Sequence, residues 1–534
     1  MPKSTLVSKS SRTRLLFELL AATALAAGVC LAALWHVSMR GLLLHSNDAA
    51  AHANIARRLW DSRTPDYEQI GTVWLPLPHW IMEPFTRYDD WWRSGLAGGL
   101  PAAIACALAA VLVFLAVRRM FSSSGAAWAA LLLFLMNPNL LYTGATPMTE
   151  PFQMAALAGV LYFTLLARDS QSVAASAAAG LFACAGTLVR YESWFLIPFV
   201  SLYLLFACGK RRWTCAIAFG AVASAGPVYW ILHNWYVYGD PWEFYRGPYS
   251  PKGIYQRALD AGMARYPGDH DLAKAWQYFA EASRMNAGTT LLLLAGLGTA
   301  ACLMRRVFWP LALLSLPCLF YVLSRYSSGT PIFLPHLWPY SYYNARYGLA
   351  ALPLLAIAAS GLAAVGPARW RAAAALLVPL AAASPWILNP SPERWVCWKE
   401  AQINSEARRS WTSQAADYLR QNYKGGGILT SFGDLMGIYQ QAGIPLRETI
   451  HEGNNVEWSA PVARPALFLR QEWVVAMAGD RVARAVVNAQ RKGPFYDRVK
   501  MVVVKGAPVI EIYRRGSQIR PPDEPAEEEP GQKP

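Results

Sequence analysis

LLFELLAATALAAGVCLAALW, residues 15–35, is a run long enough to cross a bilayer, which takes roughly 20 apolar residues. A basic start (Lys3, Lys9, Arg12, Arg14) precedes it. The run is longer than the roughly 7–15-residue core of a secretory signal, so it reads as an uncleaved anchor with its N-terminus inside. Ten further apolar blocks follow near residues 95–117, 125–143, 151–167, 172–190, 194–209, 213–234, 288–304, 307–325, 347–365 and 370–388. The chain of 534 residues is 54% hydrophobic and 16% charged, where a soluble protein carries roughly 25% charged residues. These features predict a polytopic α-helical membrane protein with about eleven transmembrane helices.

The charges between the blocks give the expected orientation. Arg118–Arg119, Arg168, Lys210–Arg211–Arg212, Arg305–Arg306 and Arg369–Arg371 all fall on alternate turns, the side of the N-terminus. That parity marks a cytoplasmic side, so a net charge of +15 reads as a positive-inside signal and not as a nucleic-acid face. Residues 36–94, 143–150, 190–193, 235–287, 326–346 and the chain beyond about 390 then face outward. Seven of the eight cysteines lie in apolar blocks and only Cys397 in a polar one; no pair has zinc-ligand spacing.

Residues 14–390 form the expected membrane domain after a cytoplasmic start at 1–13. From 391 to 516 the composition turns ordinary. RRSWTSQAADYLRQNY (408–423) has helical spacing, while GGGILTSFG, EWVVAMAG and VKMVVVKGAPVIEIYRR read as strands. A small C-terminal α/β extracytoplasmic domain is expected, followed by a disordered acidic, Pro-rich tail at 517–534.

Polar chemistry concentrates in the outer segments. The first loop opens HSNDAAAHANIARRLWDSRTPDYEQIGTVWLPLPHW (45–80). On a helix, His45, Asp48 and His52 share a face. Asp48 can serve as a general base, hold a divalent cation with an imidazole, or simply be solvated. His79 is a further candidate in the same loop. In NPNLLYTGATPMTEPFQ (137–153), Glu150 opens a helix, where the macrodipole alone favours an acid, yet it borders the bilayer, where ionisable groups tend to be functional. In TLVRYESWFLIP (187–198), Arg190 runs against the charge bias; it pairs with Glu192 or another carboxylate, or it holds an anion. In SYYNARYGLAALP (341–353), Arg346 stands at a helix N-terminus beside Asn344, Tyr343 and Tyr347. A cation there calls for a nearby anion, which a lipid phosphate would supply; an interfacial Arg–Tyr anchor is the plainer reading. Trp60, Trp74, Trp80, Trp91, Trp92, Trp235, Trp242 and Trp338 suit an aromatic belt, and some could stack on a sugar.

Together these pieces resemble the GT-C glycosyltransferases, in particular the bacterial ArnT and protein O-mannosyltransferase branch, over residues 12–390. That group's first-loop motif is often Asp-Glu-x-x-Tyr followed by Ile-Ala-Arg. Here Asp48 and Ile55–Ala56–Arg57 match, Ala49 replaces the second acid and His52 takes the Tyr position. Arg190–Phe195 and Asn344–Pro353 match the group's Arg-Tyr-Glu and Asn-x-Arg-Tyr stretches. The resemblance implies inverting transfer of a hexose or pentose from a polyprenyl-phosphate sugar to a glycan, lipid or protein acceptor at the outer face of a bacterial cytoplasmic membrane. It implies Asp48 and Glu150 as catalytic residues, with Arg346, Arg190 and Tyr347 on the donor phosphate. His52, Glu192, His79 and Asn344 are further candidates. A divalent cation is left open, with Asp48, His45 and His52 as candidate ligands and Glu150 either orienting the acceptor or helping to hold the cation. The alternatives are a transporter or flippase of a lipid-linked or anionic substrate, and a polysaccharide polymerase or ligase of similar topology.

Overall fold

The computed structural model describes residues 9–516, apart from positions 434 and 492. The cytoplasmic start at 1–13 falls largely outside the described residues, and the expected disordered tail at 517–534 lies wholly outside them. The chain divides into two compact units. One runs through Leu59 and resumes from Tyr67 to Glu406; the other joins Trp60–Asp66 to the segment from Ala407 onward.

The first unit is mostly helical, with one short strand-like pairing between Phe333 and Tyr343. α1 (Lys9–Met39) leads to a first loop that holds α2 (Asn47–Arg58), α3 (Leu77–Thr86) and α4 (Asp89–Ser94). Then come α5 (Leu96–Phe121), α6 (Ser124–Leu135), α7 (Pro138–Ala145), α8 (Glu150–Ser170), α9 (Val173–Thr187), α10 (Leu196–Ala207) and α11 (Arg212–Tyr238). The short α12 (Glu243–Arg246) and α13 (Pro251–Asp260) precede α14 (Leu272–Ala287), α15 (Thr289–Met304) and α16 (Trp309–Tyr326). A 3₁₀ segment, Ala345–Ala351, runs into α17 (Leu352–Ser360); α18 (Ala368–Leu388) and α19 (Val396–Asn422) follow.

Every one of the eleven expected spans is helical, but the count by length and apolarity is smaller. Among the described residues six helices are long and apolar enough to cross a membrane, or eight if each of two bent pairs is one span. The pairs are α6–α7, bent by 65°, and α14–α15, bent by 104°. Pro138 lacks the N–H that would continue α6, and the Asn137 side chain caps α7 by accepting from the Leu140 N–H at 2.9 Å. The second bend turns on Gly288, at φ +85°, a left-handed conformation that a side chain resists. Broken helices at this depth are tolerated only where protein satisfies the freed backbone groups. Here asparagines do so: the Nδ2 groups of Asn137 and Asn139 donate to the Asn286 carbonyl at 2.8 and 3.1 Å. Asn286 in turn donates to the Ala345 carbonyl at 2.7 Å. Two helix breaks and the start of the 3₁₀ segment are thereby held together. Gly348 lets that segment lie against α14, since a Cβ there would meet the Ala282 backbone at 2.3 Å.

The second unit is the expected α/β domain. Its five-stranded sheet has the order β2-β1-β3-β5-β4, from β1 (Ile428–Thr430), β2 (Thr449–Ile450), β3 (Trp473–Met477), β4 (Tyr496–Val502) and β5 (Ile510–Arg515). β1 is parallel to β2 and β3, while β5 pairs antiparallel with β3 and β4. The division between units falls inside α19, later than the composition change at 391 suggests. The inclusion of Trp60–Asp66 was not foreseen either. Buried Asp61 accepts the Leu446 N–H at 3.2 Å, the Asn454 amide donates to Ser62 and Thr64 at 3.2 and 3.0 Å, and Arg63 pairs with Glu457 at 3.2 Å.

Candidate active site

Five separate stretches of the first unit deliver charged side chains to one cluster. Asp48 stands in the first turn of α2, Glu150 opens α8, Arg190 and Glu192 occupy the turn after α9, and Arg346 sits in the 3₁₀ segment. Glu400 comes from the start of α19.

Arg346 is the hub. Its Nε donates to Glu150 Oε1 at 3.1 Å, one terminal nitrogen pairs with Asp48 Oδ2, and the other lies 3.5 Å from Glu400. Arg190 donates to Glu192 Oε1 at 2.9 Å, to Glu150 Oε1 at 3.2 Å, to Thr149 at 2.8 Å and to the Tyr321 hydroxyl at 2.5 Å. Tyr321 donates in turn to Glu192 at 2.9 Å. The Tyr347 ring lies beneath both guanidiniums, 5.0 Å from Arg190 and 5.1 Å from Arg346, which suits cation–π attraction. A reciprocal bond between Gln153 and Ser193, 2.7 and 3.0 Å, ties the Arg190 turn to α8.

The cluster borders a small cavity of about 30 Å³ lined by Glu150, Gln153, Arg190, Glu192, Tyr321, Arg346 and Tyr347, among others. Asp48 is joined to it through Arg346. Glu150 has a second oxygen, Oε2, that is buried with no hydrogen-bond partner. A buried acceptor without a donor costs about 1–3 kcal/mol, more when charged, so a ligand hydroxyl donating there would be strongly favoured. Four carboxylates stand against two guanidiniums, and both guanidiniums are already engaged.

The structure therefore brings Asp48, Glu150, Arg190, Glu192, Arg346 and Tyr347 together. It also answers the requirement for an anion near Arg346 from within the chain, through three carboxylates. Asn344 shapes the segment: it sits at φ +54°, and its amide donates to the Pro331 carbonyl at 3.2 Å.

The histidines behave differently from the expectation. His45 precedes α2, which starts at Asn47 after Ser46, so the face shared by His45, Asp48 and His52 does not form. His45 lies instead against Gln402, at 2.5 Å. His52, one turn beyond Asp48, makes a 2.9 Å hydrogen bond with His79, and its ring centroid is 4.4 Å from that of Trp74. Burial, then the charges of Arg346 and Arg190, push His52 down to about 3; burial and His52 push His79 down as well. Both are neutral imidazoles at neutral pH. Among the described residues no three His, Cys, Asp or Glu side chains form a group able to hold a metal ion, so Asp48, His45 and His52 do not make one.

Two residues of the cluster escaped sequence reasoning. Tyr321 lies within an apolar block, where a hydroxyl draws no notice. Glu400 lies beyond the last block, in the segment of ordinary composition that begins at 391. Its oxygens accept the backbone N–H groups of Asn344 and Ala345, each at 2.8 Å. Burial pushes its carboxyl above the usual range, against the pull of Arg346 and these N–H groups.

Residues 75–230 match the model of a family described as dolichyl-phosphate-mannose-protein mannosyltransferase. No curated protein sequence matches the chain. Among solved structures, the chain resembles ArnT from Cupriavidus metallidurans in the apo state, with a TM-score of 0.51 and 14% identity over 87% of this chain and 93% of that one. It also matches the Archaeoglobus fulgidus oligosaccharyltransferase, in complex with zinc and sulfate, with a TM-score of 0.48 and 13% identity over 86% of this chain and 68% of that one. Part of the membrane unit is thus similar to a mannosyltransferase family, and the chain as a whole has an ArnT-like, multi-pass helical fold.

Proposed function

We propose that this protein is a GT-C-type glycosyltransferase that moves a sugar, with inversion, from a polyprenyl-phosphate donor to an acceptor hydroxyl at the outer face of a bacterial cytoplasmic membrane. One observation carries the reading: Asp48, Glu150, Arg190 and Arg346, drawn from four segments that the basic clusters assign to the outer side, meet in a single ion-paired cluster beside a cavity.

The donor phosphate competes with the carboxylates for Arg190 and Arg346. When Arg346 turns to the phosphate, Asp48 loses its partner and becomes available as a base. The acceptor oxygen then bonds to the anomeric carbon while the bond from that carbon to the phosphate oxygen breaks. The electron pair leaves on the phosphate, facing the guanidiniums, and the acceptor proton passes to Asp48. Glu150 Oε2 accepts a hydroxyl of the sugar or of the acceptor, orienting it. The phosphate and the prenyl chain supply the recognition that a nucleotide would give in a soluble transferase.

The test is Asp48→Asn in membranes supplied with polyprenyl-phosphate sugars. Loss of a general base lowers the rate by about 10²–10⁴-fold. Full transfer activity in the variant, with every donor that serves the wild type, removes Asp48 from this role.

A further inference from the structure

We propose that Glu400 is a positioning residue of this site, setting Arg346 in place from the first turns of α19. The proposal rests on the glycosyl-transfer reading and adds a residue to it.

Arg346 occupies an unfavourable place for a cation, in the first turn of a 3₁₀ segment whose free N–H groups carry positive charge. Its position is held by what satisfies that end. Asn344 has a left-handed backbone and gives the segment no side-chain cap. Glu400 supplies the cap from elsewhere: one oxygen accepts the Asn344 N–H and the other the Ala345 N–H, both at 2.8 Å, and the carboxylate stays 3.5 Å from the Arg346 guanidinium. A single buried side chain thus fixes the backbone immediately before Arg346 and faces its charge.

The start of α19 is itself pinned to the elements that carry the cluster. The Cys397 N–H donates to Asn139 at 3.0 Å, and its thiol lies 3.1 Å from the Asn286 Oδ1. Asn404 donates to the Tyr342 carbonyl at 2.9 Å, while Gln402 meets His45, just ahead of α2. Helix α7, helix α14, the strand-like segment before Arg346 and the approach to Asp48 are all joined to these turns. Glu400 does not itself line the cavity, so its effect passes through Arg346.

The experiment measures donor KM and kcat for Glu400→Ala and Glu400→Asp, each alone and combined with Arg346→Lys. A displacement of reacting groups by about 1 Å can lower turnover by on the order of 10²-fold, and a loss of that size in kcat/KM, mainly through kcat, is expected for E400A. E400D, which keeps two acceptor oxygens and the charge on a shorter arm, should recover part of it. If Glu400 acts through Arg346, its loss adds little in the R346K background. Fully additive losses, or an unchanged kcat, overturn the positioning role while wild-type transfer leaves the glycosyl-transfer reading standing. Should E400A fail to fold, E400D carries the same comparison. Absence of transfer by the wild type from any polyprenyl-phosphate sugar overturns the parent reading instead.

Discussion

Replacing Arg346 by lysine keeps the charge and removes the fork. Three nitrogens of the arginine serve three different carboxylates: Glu150 at 3.1 Å, Asp48, and Glu400 at 3.5 Å. A lysine ammonium is a single point on a flexible stem and cannot reproduce that planar arrangement. The side chain is 11% exposed, so solvent screens little of the loss. One or two charged hydrogen bonds are forfeited at about 1.5–3 kcal/mol each, offset in part by the retained charge, and a net destabilisation of about 2–3 kcal/mol follows. The effect on catalysis should be larger relative to what remains folded. Loss of one preorganised donor facing developing charge lowers kcat by about 10²–10³-fold, or about 2.7–4 kcal/mol. The assay pairs sugar transfer in nanodiscs with thermal melting of the same preparation. A folded R346K enzyme with kcat/KM within about threefold of wild type, less than 1 kcal/mol of transition-state stabilisation, would refute the assignment of Arg346 to the leaving phosphate.

Two further outcomes follow from the same geometry. Glu150→Gln keeps an acceptor for both arginines but sets an amide N–H₂ where Oε2 awaits a donor. Transfer should fall by about 10–100-fold while binding of polyprenyl phosphate alone tightens, because one negative charge beside the guanidiniums is gone; unchanged values for both, by radiolabel transfer and lipid titration, argue against a ligand hydroxyl at Oε2. The second outcome concerns pH. His52 is held at about 3 in the folded protein against 6.5 ordinarily, so between those values the unfolded chain binds a proton that the folded one refuses. Stability is therefore full above about pH 6.5 and declines as pH falls toward 3, by up to about 1.4 kcal/mol per unit for each such histidine. Melting temperature followed from pH 7.5 to 5 should drop, and His52→Gln should flatten the slope; a slope unchanged in the variant would show that His52 does not carry it.

Much of the architecture was written in one-dimensional features. Blocks of about 20 apolar residues have few alternatives to a helix in lipid, because every backbone polar group must be satisfied within the segment. Asp48, Glu150, Arg190, Glu192 and Arg346 were each visible as ionisable residues at the edges of such blocks, where their solvation makes them conspicuous. The periodicity of residues 408–423 and the β-rich segments after them likewise announced an α/β domain. The face of His45, Asp48 and His52 failed because its periodicity argument assumed a helix that begins two residues later, at Asn47.

What only the tertiary structure decided is which of these residues meet. Asp48 and Arg346 are separated by 298 positions in sequence, and nothing in either neighbourhood encodes their pairing. The bends at Asn137–Pro138 and Gly288 shorten two spans and draw their polar ends onto Asn286, an outcome of long-range hydrogen bonds between elements far apart in sequence. Glu400 is the clearest case: in sequence it is an acid in a segment of ordinary composition, and in the fold it caps the backbone beside Arg346. Local propensity and hydropathy act over a few turns of chain, so the sequence determined the membrane helices and the polar positions at their ends. The constellation among those positions belongs to the packing.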